Sequence, residues 1–395
     1  MTAYELALST MDSPASVSVR LNPFKVPEGN LPILEGAVPV PWNEFGYILK
    51  ERPVFTLHPL FHAGVYYVQD SSAMYVGHIF RKLLGQGRGV KVLDLCAAPG
   101  GKTTDLAASL RLKYGDDFLL VSNEVMKQRA GILKDNVCIW GDPNVVVTSV
   151  DPAAFAAFGS FFDIVVADVP CSGEGMFRKD DRAFEEWSED VVELCSQRQR
   201  RIIADVWPSL KEGGLLIYST CTFEEAENDD NLEWAARELG GEIIPPENEF
   251  EGVELTRCGS LLVPGRVPGE GQWVGALRKT SEAAFGETDL SALRPLLMGV
   301  NKGETKGKDF VPSSDWALSL DFEKDSYPWA EVDKLTALHF LHRDTICLPE
   351  MEKGYNVVAY KGIPLGFVKN LGTRCNNLHP MGRRIRMNID DNIKI

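Results

Sequence analysis

No apolar run in the 395 residues approaches the roughly 18 that a membrane-spanning helix needs, so no membrane partner is expected. The N-terminus, MTAYELALSTMDSPASVSVR, lacks a basic stretch followed by an apolar core, which excludes a recognisable secretion signal and makes the cytoplasm the expected compartment. Eight cysteines are too few for a disulfide scaffold in a chain of this length, and no two stand as C-x-x-C, so neither a zinc ribbon nor a dithiol redox centre is expected and no metal is called for. Low complexity and internal repeats are also absent. What remains, 44% hydrophobic and 25% charged residues, is ordinary globular usage with room for two or three domains.

Positive charge is in short supply. The formal net charge is -15, which taken alone argues against a nucleic-acid partner. Its distribution weakens that argument. Eleven acids between positions 224 and 251 face one arginine, a net of -10 that leaves -5 for the other 367 residues. Residues 361–389 hold Lys361, Lys369, Arg374, Arg383, Arg384 and Arg386 with no acid, so a local basic face is open, a solvated surface being the plainer alternative.

Residues 90–277 alternate short apolar strands with longer helical segments, the pattern of a mostly parallel sheet covered by helices. Strands are expected at 90–95, 118–123, 144–149, 162–168 and 215–220, with two more near 259–263 and 272–277 to make seven. Helices are expected at about 102–111, 126–136, 186–210 and 223–239. From Lys279 to about Phe310 the chain turns polar and irregular and reads as a linker or domain edge. Beyond it, TICLPE, NVVAYKG and IPLGFVKN are short, β-rich and turn-punctuated, which suggests a small, mostly β domain.

The first strand runs into Cys96-Ala97-Ala98-Pro99-Gly100-Gly101 and a helix start, a loop of small residues that lets a ligand lie against backbone amides. It is not a phosphate loop, since Cys96 stands where that motif needs glycine, and the G-x-G-x-x-G dinucleotide fingerprint is missing. Alone, the loop is equally compatible with a plain turn. The second strand ends in Asn123-Glu124, the third near Asp151 and the fourth in Asp168. Each acid has a bland alternative as a cap or solvated residue. Acids at the carboxyl ends of successive strands nevertheless stand where such sheets bind ligands, and one at the second strand suits ribose hydroxyls. Together they point to an adenosyl ligand without an obligatory phosphate, S-adenosylmethionine.

DVPCSGEGMFRKD places Cys171 three residues after Asp168, and STCTFEEAEND places Cys221 just past the fifth strand, on the same edge of the sheet. A thiolate added to C6 of cytosine turns the ring into an enamine whose otherwise unreactive C5 accepts a methyl group. A second base must then remove the C5 proton before the thiolate can leave.

At this point CAAPGGKT (96–103), NE (123–124), DVPCSGEGMFRKD (168–180) and STCTFEEAEND (219–229), in order and at the ends of successive strands, resemble the RNA cytosine-5 methyltransferases of the Sun/NSUN family. SVRLNPFK (18–25) and the segment 40–76 look like the lead-in of that family's bacterial RsmF-type branch, and 366–387 is similar to its PUA-like RNA-binding domain, so nearly the whole chain is covered. The resemblance implies a Rossmann-like class I methyltransferase α/β fold with a seven-stranded mostly parallel sheet. Its domains would be an RNA-contacting lead-in over 1–85, the methyltransferase domain over 86–280, a linker over 281–310 and a PUA-like domain over 311–395.

Carried over residue by residue, the family pattern makes Cys221 the nucleophile, Cys171 the thiol of proton removal and enzyme release, and Asp168 the acid that orients the base. It assigns Cys96, Ala97, Ala98, Pro99, Gly100, Gly101, Lys102, Glu124, Arg129, Asp151 and Asp168 to the cofactor pocket. The implied substrate is RNA, foremost 16S ribosomal RNA in or near the small subunit, with transfer RNA as the alternative and a ribosome-assembly factor without turnover as the rival from another class. A monomer is expected. Aromatics in FTLHPLFHAGVYYV read as core, with stacking on RNA as the other use.

Overall fold

The computed structural model describes residues 2–247, 249–282 and 284–389. The chain opens with α1 (Ala3–Ser9), whose start is fixed by a reciprocal pair: Glu5 N donates to Thr2 Oγ1 (3.1 Å) and Thr2 N to the Glu5 carboxylate (2.8 Å). An antiparallel sheet follows, built from β1 (Ser18–Leu21), β2 (Val38–Val40), β3 (Asn43–Ile48) and β4 (Tyr66–Val68) in the order β2-β3-β1-β4. Helices α2 (Pro59–His62) and α3 (Met74–Leu83) lead from it to the central sheet.

Five parallel strands form the centre of that sheet: β5 (Val90–Asp94), β6 (Phe118–Asn123), β7 (Val145–Thr148), β8 (Phe162–Asp168) and β9 (Leu210–Thr220), in the order β7-β6-β5-β8-β9. Helices α4 (Gly101–Tyr114), α5 (Lys127–Trp140), α6 (Asp181–Glu186), α7 (Glu189–Val206) and α8 (Asp229–Leu239) connect and cover them. Beyond β9, β10 (Gly241–Ile244), β11 (Glu254–Leu255), β12 (Gly259–Leu262) and β13 (Gln272–Lys279) join antiparallel, β13 lying directly on β9. The seven expected strands are present, and β10, β11 and a short β14 (Leu297–Met298) extend the sheet.

Successive residues of the central strands point to opposite faces, and both faces are apolar. Val92, Leu120, Ile164 and Ile217 enter one core with α3, α4 and α5, while Leu93, Val121, Val165 and Leu216 enter the other with α7 and α8.

Four expectations need correction. The helix expected over 186–210 is shorter at both ends: Ser188 accepts from Val191 N and starts α7, and α7 gives way at Val206 to a 3-10 turn holding Pro208, whose ring nitrogen has no hydrogen to donate. The strand after it starts at Leu210 and not at 215, so Lys211–Gly214 lies inside β9. The helix expected from 223 begins at Asp229, because Glu224–Asn228 is taken up in turns that tie back to Thr222 and Thr220. The stretch expected as a linker carries β14 on the sheet edge and the hairpin of β15 (Gly303–Lys306) and β16 (Asp309–Pro312).

The C-terminal part holds α9 (Ser314–Ala317), β17 (Trp329–Glu331), α10 (Lys334–His342), β18 (Gly354–Tyr360), β19 (Ile363–Asn370) and β20 (Cys375–Asn377), with the four strands in one sheet in chain order. Residues 390–395 of the expected C-terminal domain lie outside the described residues. A third core joins the two ends of the chain: Val19, Leu60, Val65 and Tyr66 pack with Leu338, Leu341, Val358 and Leu365. Phe55 and Phe61, both half-buried, pack at tilted angles against the buried Tyr66 there, so these aromatics of the lead-in belong to the core and its edge. The C-terminal part also closes on α5: at Gly141 (φ +85°) a Cβ would stand 2.1 Å from the Leu318 carbonyl oxygen, and Leu320 N donates to the Gly141 carbonyl (2.9 Å).

Candidate active site

A cavity of about 850 Å³ opens at the carboxyl ends of β5–β9. Of the expected cofactor residues, Cys96, Ala98, Glu124, Arg129, Asp151 and Asp168 line it. Ala97, Pro99, Gly100, Gly101 and Lys102 are not on its wall. Ala97 N donates to Asn123 O (2.8 Å), tying the loop to β6, and the Pro99 carbonyl accepts from Asn136 Nδ2 (2.7 Å). Gly100 takes φ +114° at the cap of α4, and Gly101 is that helix's first residue.

Glu124, only 3% exposed, keeps its carboxylate in place through Met126 N (2.9 Å) and Arg129 Nη1 (3.3 Å), and Arg129 also donates to the Ala98 carbonyl (2.8 Å). A buried, fixed acceptor facing a cavity of nucleoside size suits paired ribose hydroxyls. Asp151 accepts from Ala153 N (3.0 Å) and so caps a 3-10 turn as well as lining the cavity. Burial pushes the Cys96 thiol, on the cavity wall, well above its ordinary value.

Asp168 stands at the meeting of three donors. Lys102 Nζ reaches Oδ2 at 2.8 Å, and Ser219 Oγ (2.7 Å) and Gln272 Nε2 (3.2 Å) reach Oδ1. Burial works against the Lys102 charge, but the neighbouring carboxylate more than offsets it and the ammonium is held above its ordinary value. These three donors fix the Asp168 carboxyl at the cavity wall.

The two thiols meet. Cys171 Sγ lies 3.1 Å from Cys221 Sγ and 3.3 Å from Cys221 N, both sulfurs border the cavity, and both cysteines are free. The hydrogen bond to Cys221 and then burial raise the Cys171 thiol well above its ordinary value. The loop that carries it is crossed by Gly175 N donating to the Cys221 carbonyl (2.8 Å).

Several positions in this arrangement were not singled out from the sequence. Gln272 joins Asp168 to the Thr220 carbonyl (2.7 Å) from the start of β13, a strand that sequence pattern located without any hint of chemistry. Arg20, 1% exposed on β1, donates to Gly101 O (3.1 Å), Thr104 Oγ1 (2.5 Å) and Gln69 Oε1 (2.9 Å), and so braces the first turn of α4 behind the glycine loop. Met176, Asp180, Arg182, Ala183 and Glu186 bring the loop after Cys171 and α6 to the cavity wall.

A parallel sheet with an adenosyl-sized cavity at its carboxyl edge, a fixed acid after the second strand and a pair of thiols beside it defines a class I S-adenosylmethionine-dependent methyltransferase. The comparisons agree. Residues 83–277 match the family model for 16S rRNA methyltransferase RsmB/F, residues 2–71 that for the N-terminal domain of 16S rRNA methyltransferase RsmF, and residues 330–385 that for the methyltransferase RsmF PUA domain. The chain belongs to the RsmB/F methyltransferase family. It is 28% identical over 442 residues to ribosomal RNA small subunit methyltransferase F of Shewanella amazonensis, covering 93% of this chain and 91% of that protein. The same-named protein of Pectobacterium atrosepticum is 34% identical over 253 residues, 61% of this chain and 51% of the relative. Among solved structures, a methyltransferase homolog protein from Pyrococcus horikoshii superposes with a TM-score of 0.57 at 26% identity over 69% of this chain and 88% of that one. NSun6 from Pyrococcus horikoshii with SFG gives 0.58 at 17% identity, over 70% and 94%.

Proposed function

We propose that this protein transfers a methyl group from S-adenosylmethionine to C5 of a cytosine in 16S ribosomal RNA. The observation that carries the reading is the sulfur pair, Cys171 and Cys221 at 3.1 Å, on the wall of the cavity that also holds Asp168 and Glu124. The names of the relatives support the substrate.

When bound, the cofactor supplies an electrophilic methyl group on a sulfonium. Glu124, Asp151, Cys96 and Ala98 would hold it, with Arg129 keeping Glu124 in position. The target cytosine has to leave its stack to reach the cavity. Asp168, itself fixed by Lys102, Ser219 and Gln272, accepts from the N4 amine and sets the ring against the thiols. The Cys221 thiolate bonds to C6, and the electron pair displaced across the ring makes C5 nucleophilic. The Cys171 thiol, neutral at rest, gives up its proton to solvent; after C5 is methylated the C5 proton passes to the thiolate so formed, the C6–sulfur bond breaks, and the electrons restore the C5–C6 double bond. One proton per methyl group is left for solvent.

The test is methyl transfer from labelled cofactor to small-subunit particles, naked 16S RNA and transfer RNA, with nucleoside analysis of each. 5-Methylcytidine in either ribosomal pool is expected; label confined to transfer RNA would move the substrate, and no label with cofactor binding intact would favour an assembly factor. Cys221→Ala is expected to abolish label, and an active variant would overturn the mechanism. Cys171→Ala is expected to leave RNA covalently attached on a denaturing gel.

A further inference from the structure

The acidic stretch after Cys221 contains one carboxylate with no solvent contact. Glu227 is 0% exposed, and no cation is paired with it among the described residues. A charge buried without a counter-ion is costly and has to be held by donors. Here the donors are Ser172 N (3.2 Å), Ser172 Oγ and Gln199 Nε2 (2.6 Å). Gln199, on α7, also donates to the Pro170 carbonyl (3.0 Å). The residues on either side of Cys171 are therefore both pinned, Pro170 by Gln199 and Ser172 by Glu227, and Cys171 is the one between them.

The bracket is itself rigid. Tyr218 OH donates to the Glu227 carbonyl (2.6 Å) and lies 3.0 Å from Gln199 Oε1, which also accepts from Asn231 Nδ2 (2.7 Å). Ser172 Oγ further meets Thr222 Oγ1 (3.0 Å), the neighbour of Cys221, so the same group of side chains spans both thiol loops. Nothing in this network touches the cofactor wall at Glu124, Arg129 or Asp151.

We propose that Glu227 is a positioning residue for Cys171, acting through Ser172 to hold the sulfur where it can take the C5 proton, so that it serves enzyme release and not methyl transfer itself. The inference rests on the reading of Cys171 as the release thiol. Replacing the Glu227 carboxyl by an amide takes away one of the two oxygens that accept from Ser172 and lets the Cys171 sulfur leave its place, whereas Cys221, directly after the last residue of β9, stays in register and still attacks C6.

The experiment compares wild type, Glu227→Gln and Cys171→Ala in first-turnover methyl transfer, in steady-state turnover and on a denaturing gel that detects RNA joined to protein. For Glu227→Gln the expectation is first-turnover methylation within about twofold of wild type, steady-state turnover lower by about tenfold or more, and accumulated adduct. Glu227→Asp, which keeps the charge on a shorter arm, is expected to fall between the two and serves in place of Glu227→Gln should that variant fail to fold. Wild-type turnover without adduct, or a parallel fall of first-turnover and steady-state rates, would overturn the role of Glu227. If Cys171→Ala itself leaves no adduct, the reading of the release thiol fails first, and that result is recognisable whatever Glu227→Gln does.

Discussion

Burial favours the protonated form of two acids near the site. Asp94, 0% exposed at the end of β5, is pushed up by burial to about 7, and Glu227 likewise to about 7. A carboxyl whose folded value is raised binds more protons in the folded state than in the unfolded one between its ordinary value and the raised one. Stability from these groups therefore falls as pH rises from about 4 to about 7. Asp94 Oδ2 accepts from Thr103 Oγ1 (2.6 Å) while Oδ1 has no partner among the described residues, so an amide fits with its oxygen toward Thr103. Asp94→Asn is expected to be more stable than wild type at pH 8 and to flatten the decline between pH 5 and pH 8, as read by urea denaturation at each pH. A variant with an unchanged pH slope would mean that Asp94 keeps its charge.

Among the elements, β1 has a function that its sequence hides. Arg20 ties the N-terminal sheet to the first turn of α4, and its guanidinium also lies 3.8 Å from Asp105 and over the Trp140 ring at 4.8 Å. Arg20→Met leaves the Gly101 carbonyl and Thr104 without that donor. It is expected to weaken cofactor binding by about tenfold, or about 1.4 kcal/mol, and to cost roughly 3 kcal/mol of stability. Calorimetric titration with S-adenosylmethionine and denaturant unfolding read the two effects separately. The strands of the central sheet and both thiols were legible because they rest on local patterns: continuous Val/Ile/Leu runs for the buried strands, and short loops of Pro, Cys and Gly at their ends. Arg20, Gln272 and Gln199 were not, since each acts on a partner 29 to 104 positions away and looks in sequence like any polar residue on a strand or helix. The start of α7 was placed three residues early for a related reason. Ser188 is an ordinary cap, and the acids on both sides of it suit a helix running through it as well as one beginning there.

On the scale of the whole molecule, much of the acidic stretch is tied up in ion pairs and hydrogen bonds, most of them at the surface. Arg257 gathers Asp230 (2.6 Å), Glu233 (3.3 Å) and Glu225 (3.7 Å), Lys82 holds Glu247 and Glu249, and Asp229 accepts from Thr256 Oγ1 (2.8 Å) and Cys258 N (2.6 Å). The basic tail is thinner than its composition suggests. Arg383 is paired with Asp315, Lys369 lies 3.9 Å from Asp309 and Lys361 is bonded to the Asn30 carbonyl, which leaves Arg374, Arg384 and Arg386 exposed and without an ion pair among the described residues. If these three meet RNA phosphates, replacing each by alanine should lower the slope of log affinity against log salt by about 0.7 to 0.9. Filter binding from 50 to 200 mM salt, a range over which such contacts weaken measurably, checks this, and an unchanged slope for all three would place the RNA elsewhere.

The core shared by the two ends of the chain also bears on how the protein is made. Val19, Leu60 and Tyr66 emerge early in synthesis, but Leu338, Val358 and Leu365, which cover them, emerge only after some 270 further residues. Loop closure over so long a separation is slow, and the waiting surface is apolar. The first sheet therefore stays uncovered through most of translation, and its burial is a late event in folding that depends on release of the C-terminal third.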